Sequence, residues 1–339
     1  MKRIIGPQAS LSATPTATNP SLEVSWLTVD EESVGQRLDN YLIRHLKGVP
    51  KTHVYRIIRS GEVRVNKGRA AADTRIEMGD VVRLPPVRIS DKVAEKAAQP
   101  APAREFPLLL EDDNLMAIDK PAGVAVHGGS GVSFGVIEQL RQARPQAKLL
   151  ELVHRLDRET SGILLVAKKR SALKHLQDQF RERETGKTYM ALVQGSWPEK
   201  LKVIDSALHK FLLPDGERRV KVTTPDDPDG MRSITLVKVA ERLMGCTLLE
   251  VTIKTGRTHQ IRVHLASAGH PIAGDDKYGD FEWNKSLSKQ GFKRMFLHAW
   301  RLQFTHPVSG QRVELKSAMP TELQSFVQHV KPKPSPAPI

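Results

Sequence analysis

The sequence is nearly free of cysteine, since Cys246 is the single one among 339 residues. One thiol cannot form an intramolecular disulfide, and it cannot supply a cysteine-based zinc site. No apolar run approaches the roughly 20 residues that a transmembrane helix needs. The basic residues near the start are followed by no apolar stretch of the kind that a secretory signal requires. We therefore expect a cytoplasmic protein that does not enter a membrane.

Acidic residues are in deficit. The chain has 38 Asp and Glu residues against 52 Lys and Arg residues, which gives a formal net charge of +14. An excess of this size favours a polyanionic partner. Nucleic acid is a better candidate than a membrane surface, because the sequence shows neither a lipidation motif nor a long amphipathic segment. With 39% hydrophobic residues, the chain can also bury a core.

The length is sufficient for two domains of ordinary size. Composition divides the chain into segments, because Ser, Thr, Ala and Pro dominate the start, and stretches rich in Pro, Ala and Lys recur later. We predict a disordered N-terminus at 1–22, a small domain at 33–90, a linker at 91–107, a large domain at 108–328 and a disordered tail at 329–339.

The small domain has a helix–helix–strand pattern. Apolar residues fall at helical spacing over 38–46, and a second helix can begin with Thr52 as its cap and stop at Gly61. Residues 63–65 and 81–84 alternate as strands do. Several basic residues fall on the second helix and the turn after it, so they form either an RNA-binding face or a merely solvated one. Those that we select as RNA contacts are Lys51, Arg56, Arg59 and Arg64.

The large domain mixes helical and extended patterns. Residues 108–118 resemble a hairpin, and strand-like runs recur at 163–167, 188–193, 248–253 and 296–304. An amphipathic helix can begin with Ser171 as its cap, and another can run from Thr258 to a stop at Gly269. Irregular alternation of this kind indicates an α+β domain built on a mixed sheet.

A charged loop precedes the buried strand at 163–167. It reads His-Arg-Leu-Asp-Arg-Glu-Thr-Ser-Gly over 154–162 and is poor material for a core. Catalytic groups often occupy loops of this kind that a rigid scaffold holds in place. From the spacing alone, however, Asp157 between Arg155 and Arg158 could equally belong to a solvated cluster of ion pairs.

The loop resembles the H-R-L-D-x-x-T-S-G motif of the RluA-type pseudouridine synthases, in which the aspartate is catalytic. Further segments extend the resemblance over about 108–325, and they include 119–123, 187–193, 256–264, 274–279 and 297–299. Residues 35–90 resemble the small RNA-binding domain named after ribosomal small-subunit protein four. The family resemblance implies an α+β catalytic domain with that small α/β domain on its N-terminal side.

The resemblance also implies a reaction, the isomerisation of uridines in large-subunit (23S) ribosomal RNA, with no cofactor and with a monomer as the expected form. Asp157 would be the catalytic carboxylate and Arg262 would pair with it. Tyr189 would stack on the base near C5, and Leu297 would pack against the opposite face of the uracil. From the pattern alone, each of the two could equally be an ordinary core residue. We also select Arg155, close to Asp157 in the motif, as the residue that either fills the space left by the extruded base or steers the extruded nucleotide.

Two other classes of function stay open: an RNA-binding ribosome assembly factor without chemistry, and a nuclease. A nuclease would need a carboxylate cluster for Mg²⁺ or a pair of histidines, and the adjacent Asp275 and Asp276 point opposite ways if extended. His259 and His264 lie five residues apart, on different faces of a helix, so we expect no metal site there. The glycines after Pro121 lack the spacing of a nucleotide-binding loop.

Overall fold

The computed structural model describes residues 24–46, 49, 51–87, 101–128, 134–214 and 217–331. The chain divides into two compact units, residues 1–100 and 101–339. The predicted disordered N-terminus, the predicted linker up to residue 100 and the predicted tail after residue 331 lie outside the described residues. No helix in the described ranges is both long enough and apolar enough to cross a bilayer.

The first unit is a three-stranded antiparallel sheet packed with two helices. Its elements are β1 (Ser25–Thr28), a short 3₁₀ turn (Glu31–Ser33), α1 (Leu38–His45), α2 (Lys51–Arg59), β2 (Arg64–Val65) and β3 (Val81–Leu84). The strand β3 lies between the other two.

Two details of the first unit differ from the prediction. The strand β1 lies upstream of the predicted boundary at residue 33, yet it pairs with β3 along its whole length. Four residues that alternate between exposed and half-buried give too weak a pattern to be recognised on their own. Thr52 lies inside α2 rather than capping it. Gly61 follows the helix with a φ of +75°, as a stop signal should.

The second unit contains twelve strands and five helices among its described residues. The strands are β4 (Leu108–Glu111), β5 (Leu115–Lys120), β6 (Glu151–Leu152), β7 (Ser161–Ala167), β8 (Gly186–Gln194), β9 (Val203–Asp205), β10 (Ala207–Leu212), β11 (Arg218–Thr223), β12 (Ile234–Leu243), β13 (Cys246–Ile253), β14 (Leu297–Thr305) and β15 (Arg312–Lys316). The helices are α3 (Val136–Ala143), α4 (Arg170–Glu182), α5 (Gln260–Ser267), α6 (Phe281–Lys289) and α7 (Thr321–His329).

Ten of these strands form one sheet in the order β4-β5-β7-β14-β8-β13-β12-β9, with β15 paired to β14 and β6 to β7. Only β7 and β14 run parallel, and every other pairing in the sheet is antiparallel. The strands β10 and β11 form a separate hairpin. The predicted α+β domain on a mixed sheet is therefore confirmed.

The strand β7 is buried along its whole length because helices cover both faces of the sheet there. Ile163 and Leu165 pack with Leu173 and Leu176 of α4. The alternate residues, including Leu164, pack on the opposite face with α3. Successive side chains of a strand point to opposite faces, so a strand between two helical layers reads as an unbroken aliphatic run.

Three boundaries in the second unit differ from the sequence prediction. The helix α4 begins at Arg170 after Lys169, so Ser171 lies within the helix rather than capping it. The helix α5 begins at Gln260, two residues later than predicted, because His259 has a left-handed backbone. Phe106 lies within the predicted linker, yet it is buried against the apolar cluster that includes Met116 and Ile118.

Candidate active site

A cavity of about 470 Å³ opens where β7 and β14 begin and where β13 ends. Parallel neighbours start at the same edge of a sheet, so the loop before β7 and the first residue of β14 face the same space. The cavity brings together five residues that the sequence predicted for a site: Arg155, Asp157, Tyr189, Arg262 and Leu297.

His154 anchors the beginning of the loop that carries Asp157. Its Nε2 accepts a hydrogen bond of 3.0 Å from the backbone N–H of Leu165 in β7, and its ring stacks on Phe180 at 4.7 Å. Removal from water, followed by the nearby charge of Lys187, lowers the pKa of His154 to about 3. A neutral ring with the proton on Nδ1 is the form that this hydrogen bond requires.

Lys120 anchors the other side of the same loop. Its side chain is fully buried, and Nζ donates to the carbonyl oxygens of Pro121, Val124 and Arg158 at 2.7–3.1 Å. Burial lowers the pKa of Lys120 to about 7, although the charges of Glu159 and Asp157 act against that shift. The backbone next to Asp157 is thus fixed by a hydrogen-bonded amine rather than by a surface contact.

Gly162 ends the motif because no other residue fits there. Its φ is +110°, and a Cβ at this position would lie 2.3 Å from the carbonyl oxygen of Ala299. This close approach is the parallel contact between β7 and β14. It places Leu297, the first residue of β14, beside the loop that carries Asp157.

The neighbours of Asp157 in sequence are not its ion-pair partners. Arg158 pairs with Glu159 at 2.7 Å, and Arg155 is exposed without an ion pair to any described residue. The side chain of Asp157 is 26% exposed and points into the cavity towards Arg262. The interpretation of the motif as a local ion-pair cluster therefore does not describe this loop.

Arg262 forms an ion pair with Asp157, but its stronger ion pair is with Asp275. Arg262 donates two short hydrogen bonds from Nε and Nη2 to Asp275, at 2.7 and 2.6 Å. It reaches Asp157 only through Nη1, at 3.4 Å, and it reaches the exposed Asp276 at 3.3 Å. A bidentate pair fixes the plane of a guanidinium. Asp275 therefore holds Arg262, and the remaining edge of Arg262 faces Asp157.

Burial disfavours the charged forms of this pair, yet the pair stays ionised. For Asp275, the hydrogen bonds from Arg262 and from the N–H groups of Lys277 and Tyr278 outweigh burial, so the pKa lies below its usual range. For Arg262, Asp275 likewise outweighs burial and raises the pKa. The charged guanidinium of Arg262 therefore lies beside Asp157.

His259 lies on the other side of Asp157, and the sequence suggests no role for it other than that of a metal ligand. Its Nε2 is 4.0 Å from Asp157 Oδ1, and its Nδ1 forms a hydrogen bond of 2.8 Å with the hydroxyl of Tyr278. The φ of His259 is +52°, which is uncommon for a residue with a side chain. No pattern in the sequence indicates this backbone, so the position of the ring could not be predicted.

Tyr189 and Leu297 form an uncharged part of the cavity. Tyr189 is partly buried in β8, and burial, followed by the charge of Asp157, raises the pKa of its phenol, which therefore keeps its proton at neutral pH. Leu297 is 4% exposed and pairs with Ala191 of the same strand as Tyr189. A planar apolar group can be held between such side chains.

Comparison with known proteins reveals relatives along most of the chain. The ribosomal large subunit pseudouridine synthase C of Haemophilus influenzae is 49% identical over 311 residues, which are 91% of this chain and 95% of the relative. The protein of the same name from Escherichia coli K12 is 49% identical over 317 residues, 92% of this chain and 98% of that one.

The chain belongs to the RNA pseudouridylate synthase family. The sequence profile of that family matches residues 114–267, and the profile of the S4 domain matches residues 36–82. Among solved structures, human RNA pseudouridylate synthase domain containing 4 superposes with a TM-score of 0.54 at 25% identity, covering 65% of this chain and 91% of that chain. The resemblance that the motifs indicate is confirmed.

The residues that the sequence assigned to RNA contact lie in both units of this pseudouridine synthase. Arg155 is exposed at the cavity in the second unit. Arg56 and Arg59 are exposed on α2 of the first unit, and Arg64 is half-exposed on β2. Lys51 begins α2, but its side chain lies outside the described residues.

The two histidines of the Gly-Arg-Thr-His-Gln-Ile-Arg-Val-His segment have different surroundings in this synthase. His264 is fully buried and bonds to Thr235 and Ser206, whereas His259 faces the cavity. In the described part of the chain, the group of side chains close enough to hold a metal ion is His209, Asp227 and Asp229, which do not line this cavity.

Proposed function

We propose that the protein isomerises specific uridines to pseudouridine in large-subunit ribosomal RNA, with Asp157 as the catalytic carboxylate. The observation that carries the proposal is the position of Asp157, whose side chain opens into a cavity lined otherwise by cationic, polar and apolar groups. The names of the relatives support the choice of large-subunit ribosomal RNA as the substrate.

The reaction breaks the bond between N1 of uracil and C1′ of ribose, rotates the base and joins C5 to C1′. The C5 proton is lost and N1 gains one, so the balance needs no oxidant, reductant or group donor, and we propose that no cofactor takes part. An ionised carboxylate beside C1′ can stabilise an oxocarbenium-like centre, trap it covalently, or remove the C2′ proton. Asp157, oriented by Arg262, serves any of these routes.

A base cannot react while it is stacked in a helix, so the target nucleotide has to enter the cavity as an extruded base. In the proposal, Tyr189 stacks on the uracil near C5 and Leu297 packs against its other face. Arg155, exposed at the cavity, fills the space that the base leaves. The partly buried, neutral phenol of Tyr189 is suited to stacking without repelling the RNA backbone.

We propose that the first unit strengthens and selects RNA binding through Lys51, Arg56, Arg59 and Arg64. The match of residues 36–82 to the S4 domain supports this role. We expect a variant that lacks residues 1–100 to bind large-subunit RNA more weakly. For each phosphate that the variant no longer binds, the log–log slope of affinity against salt should fall by roughly 0.7 to 0.9. Filter binding over a series of salt concentrations measures this slope.

A second variant tests the same surface without removing the first unit. It is the full chain with Arg56, Arg59 and Arg64 changed to glutamine, which keeps the buried core of that unit. For both proteins we expect the log–log slope of affinity against salt to be smaller than that of the wild type. A slope equal to that of the wild type in both would contradict a role of this surface in RNA binding.

The experiment that tests the proposed function uses large-subunit ribosomal RNA labelled with tritium at C5 of uridine. We expect the full chain to release tritium, and we expect release to continue at an unchanged rate after exhaustive chelation with EDTA, because none of the groups proposed for catalysis needs a metal ion. Loss of release on chelation, followed by recovery on addition of zinc, would contradict the cofactor-free mechanism.

The same samples distinguish the competing functions. A ribosome assembly factor without chemistry would bind the RNA but release no tritium. A nuclease would shorten the RNA, and with a metal-dependent mechanism it would stop doing so in EDTA. An isomerase leaves the RNA at full length, which gel electrophoresis of the reaction products checks directly.

We also propose that the enzyme acts as a monomer in the cytoplasm, the expected compartment of its ribosomal substrate. One chain supplies every residue of the proposed site, which supports the monomer. Light scattering after size exclusion should give a mass near 37.8 kDa, that of one chain. Twice that mass at the concentration used for the activity assay would contradict it.

A further inference from the structure

The cavity contains a buried cation that has no anionic partner among the described residues. Lys187 of β8 lines the cavity and is only 8% exposed. Its ammonium lies 5.4 Å from the centre of the Phe180 ring, and it forms neither a hydrogen bond nor an ion pair with any described residue. Buried lysines are ordinarily paired, because burial of an unpaired charge costs several kcal/mol or more.

The surroundings of Lys187 are cationic or neutral. Burial, followed by the charge of Arg183, lowers the pKa of its ammonium. Lys187 in turn lowers the pKa of the neighbouring His154. The side-chain carboxylate among the residues that line the cavity is that of Asp157, and the guanidinium of Arg262 already lies against it. The described part of the protein therefore supplies no counter-charge for Lys187.

A second cation lining the same cavity is also incompletely bonded. The Nε atom of Arg257 is one of two buried side-chain polar atoms without a hydrogen-bond partner among the described residues. Lys187 is the cross-strand partner of Ile253 at the end of β13, and Arg257 follows four residues later. The backbone thus brings to one cavity two positively charged side chains, each with a donor that no described residue accepts from.

An anion that enters the cavity can accept hydrogen bonds from both donors. We propose that Lys187 and Arg257 form a phosphate subsite, which binds a backbone phosphate of the RNA next to the nucleotide whose base enters the cavity. This inference rests on the proposed function, since it names the part of the RNA substrate that binds where Lys187 and Arg257 line the cavity.

The position of Lys187 relative to Tyr189 fits this division of the cavity. The two residues are separated by one position on β8, so their side chains leave the same face of the strand roughly 7 Å apart. Tyr189 takes the base in the proposed function, and Lys187 lies one strand repeat away. A single nucleotide can therefore present its base to Tyr189 while a flanking phosphate reaches Lys187 and Arg257.

The test combines RNA binding and stability. In the full chain, the double variant Lys187→Met/Arg257→Gln is expected to reduce the log–log salt slope of binding by roughly 0.7 to 0.9, the value for one phosphate. The RNA is a fragment of large-subunit ribosomal RNA that the wild type binds. The single variant Lys187→Met should melt at a temperature no lower than that of the wild type, because methionine keeps the apolar stem and removes an unpaired buried charge.

The control is Lys238→Met/Lys331→Met, which removes the same charge at two lysines that already face acidic partners, Glu250 and Glu241. We expect it to leave the slope unchanged. The subsite is overturned if the double variant keeps the wild-type slope, because no phosphate contact would then have been lost. It is also overturned if Lys187→Met unfolds or melts at a lower temperature, because Lys187 would then have a structural role.

Failure of this inference can be told apart from failure of the proposed function. The salt slope and the melting temperature are measured without turnover, whereas the proposed function is measured by tritium release from the wild type. If the wild type releases tritium and the slope of the double variant is unchanged, only the phosphate subsite is wrong. If the wild type releases none, the proposed function is wrong whatever the slope shows.

Discussion

Replacement of Asp157 by asparagine is expected to lower the single-turnover rate of isomerisation by at least about 1000-fold, which corresponds to about 4 kcal/mol of transition-state stabilisation. Asparagine keeps the shape of the side chain but removes the negative charge and the basic or nucleophilic oxygen. Each route open to the carboxylate therefore fails in the variant. Tritium release from C5-labelled uridine RNA, with enzyme in excess, measures the rate.

RNA binding by Asp157→Asn should stay close to that of the wild type, because affinity for RNA rests mainly on cationic contacts to phosphates. The control is Asp276→Asn, which removes a carboxylate that is 70% exposed and also lies near Arg262. We expect that control to keep nearly full activity. If Asp157→Asn reacted within about tenfold of the wild type, less than about 1.4 kcal/mol would be missing, and Asp157 would not be the catalytic group.

Replacement of Asp275 by alanine is expected to destabilise the second unit by about 3 to 5 kcal/mol, the usual cost of breaking a buried ion pair by removing one partner. Arg262 would remain buried with only the longer contacts to Asp157 and Asp276. We also expect activity to fall, since the plane of the guanidinium beside Asp157 would no longer be fixed. Urea denaturation followed by circular dichroism measures the stability.

The variant Asp276→Ala is the matched control for this prediction, because it removes a neighbouring carboxylate that is exposed rather than buried. Its stability should lie within about 0.5 kcal/mol of the wild type, as for most surface substitutions. A decrease of less than about 1 kcal/mol for Asp275→Ala, well under the usual cost of breaking a buried pair, would show that the bidentate pair does not hold Arg262 in place.

The central strand and the motif loop could be predicted from the sequence because their patterns are local. An aliphatic run of five residues with no polar alternation is typical of a strand covered on both faces, and β7 is such a strand. The charged loop before it could not belong to a core. Its geometry then follows from contacts that the sequence does not show, such as the hydrogen bond from Leu165 to His154.

The stronger ion pair of Arg262, its pair with Asp275, could not be predicted in the same way. The residues Arg262 and Asp275 are separated by a helix end and a turn, and both Asp157 and Asp275 were available as carboxylates. The sequence indicates that Asp275 and Asp276 point in opposite directions, and their exposures of 1% and 70% agree with that. Which of the two pairs more closely with Arg262 depends on the conformation of the turn that follows α5. The pattern of apolar residues in the sequence does not indicate that conformation.

The unpredicted elements share a weak pattern. The strands β9 to β12 mix a few buried residues with half-buried and exposed ones, and many of the exposed ones are charged. Such segments are hard to separate from loops by hydrophobic periodicity. The sequence likewise does not show that Lys187 has no ion-pair partner among the described residues. That depends on which side chains the tertiary structure brings near its ammonium.

The most direct test of the central claim compares the wild type with Asp157→Asn on intact large-subunit ribosomal RNA that contains no modified uridines. After incubation without any added cofactor, carbodiimide forms alkali-resistant adducts with pseudouridine, and these adducts stop reverse transcription. The account predicts stops at discrete uridines with the wild type and none with Asp157→Asn. Equal stops with both proteins, or none with a wild type that binds the RNA, would contradict it.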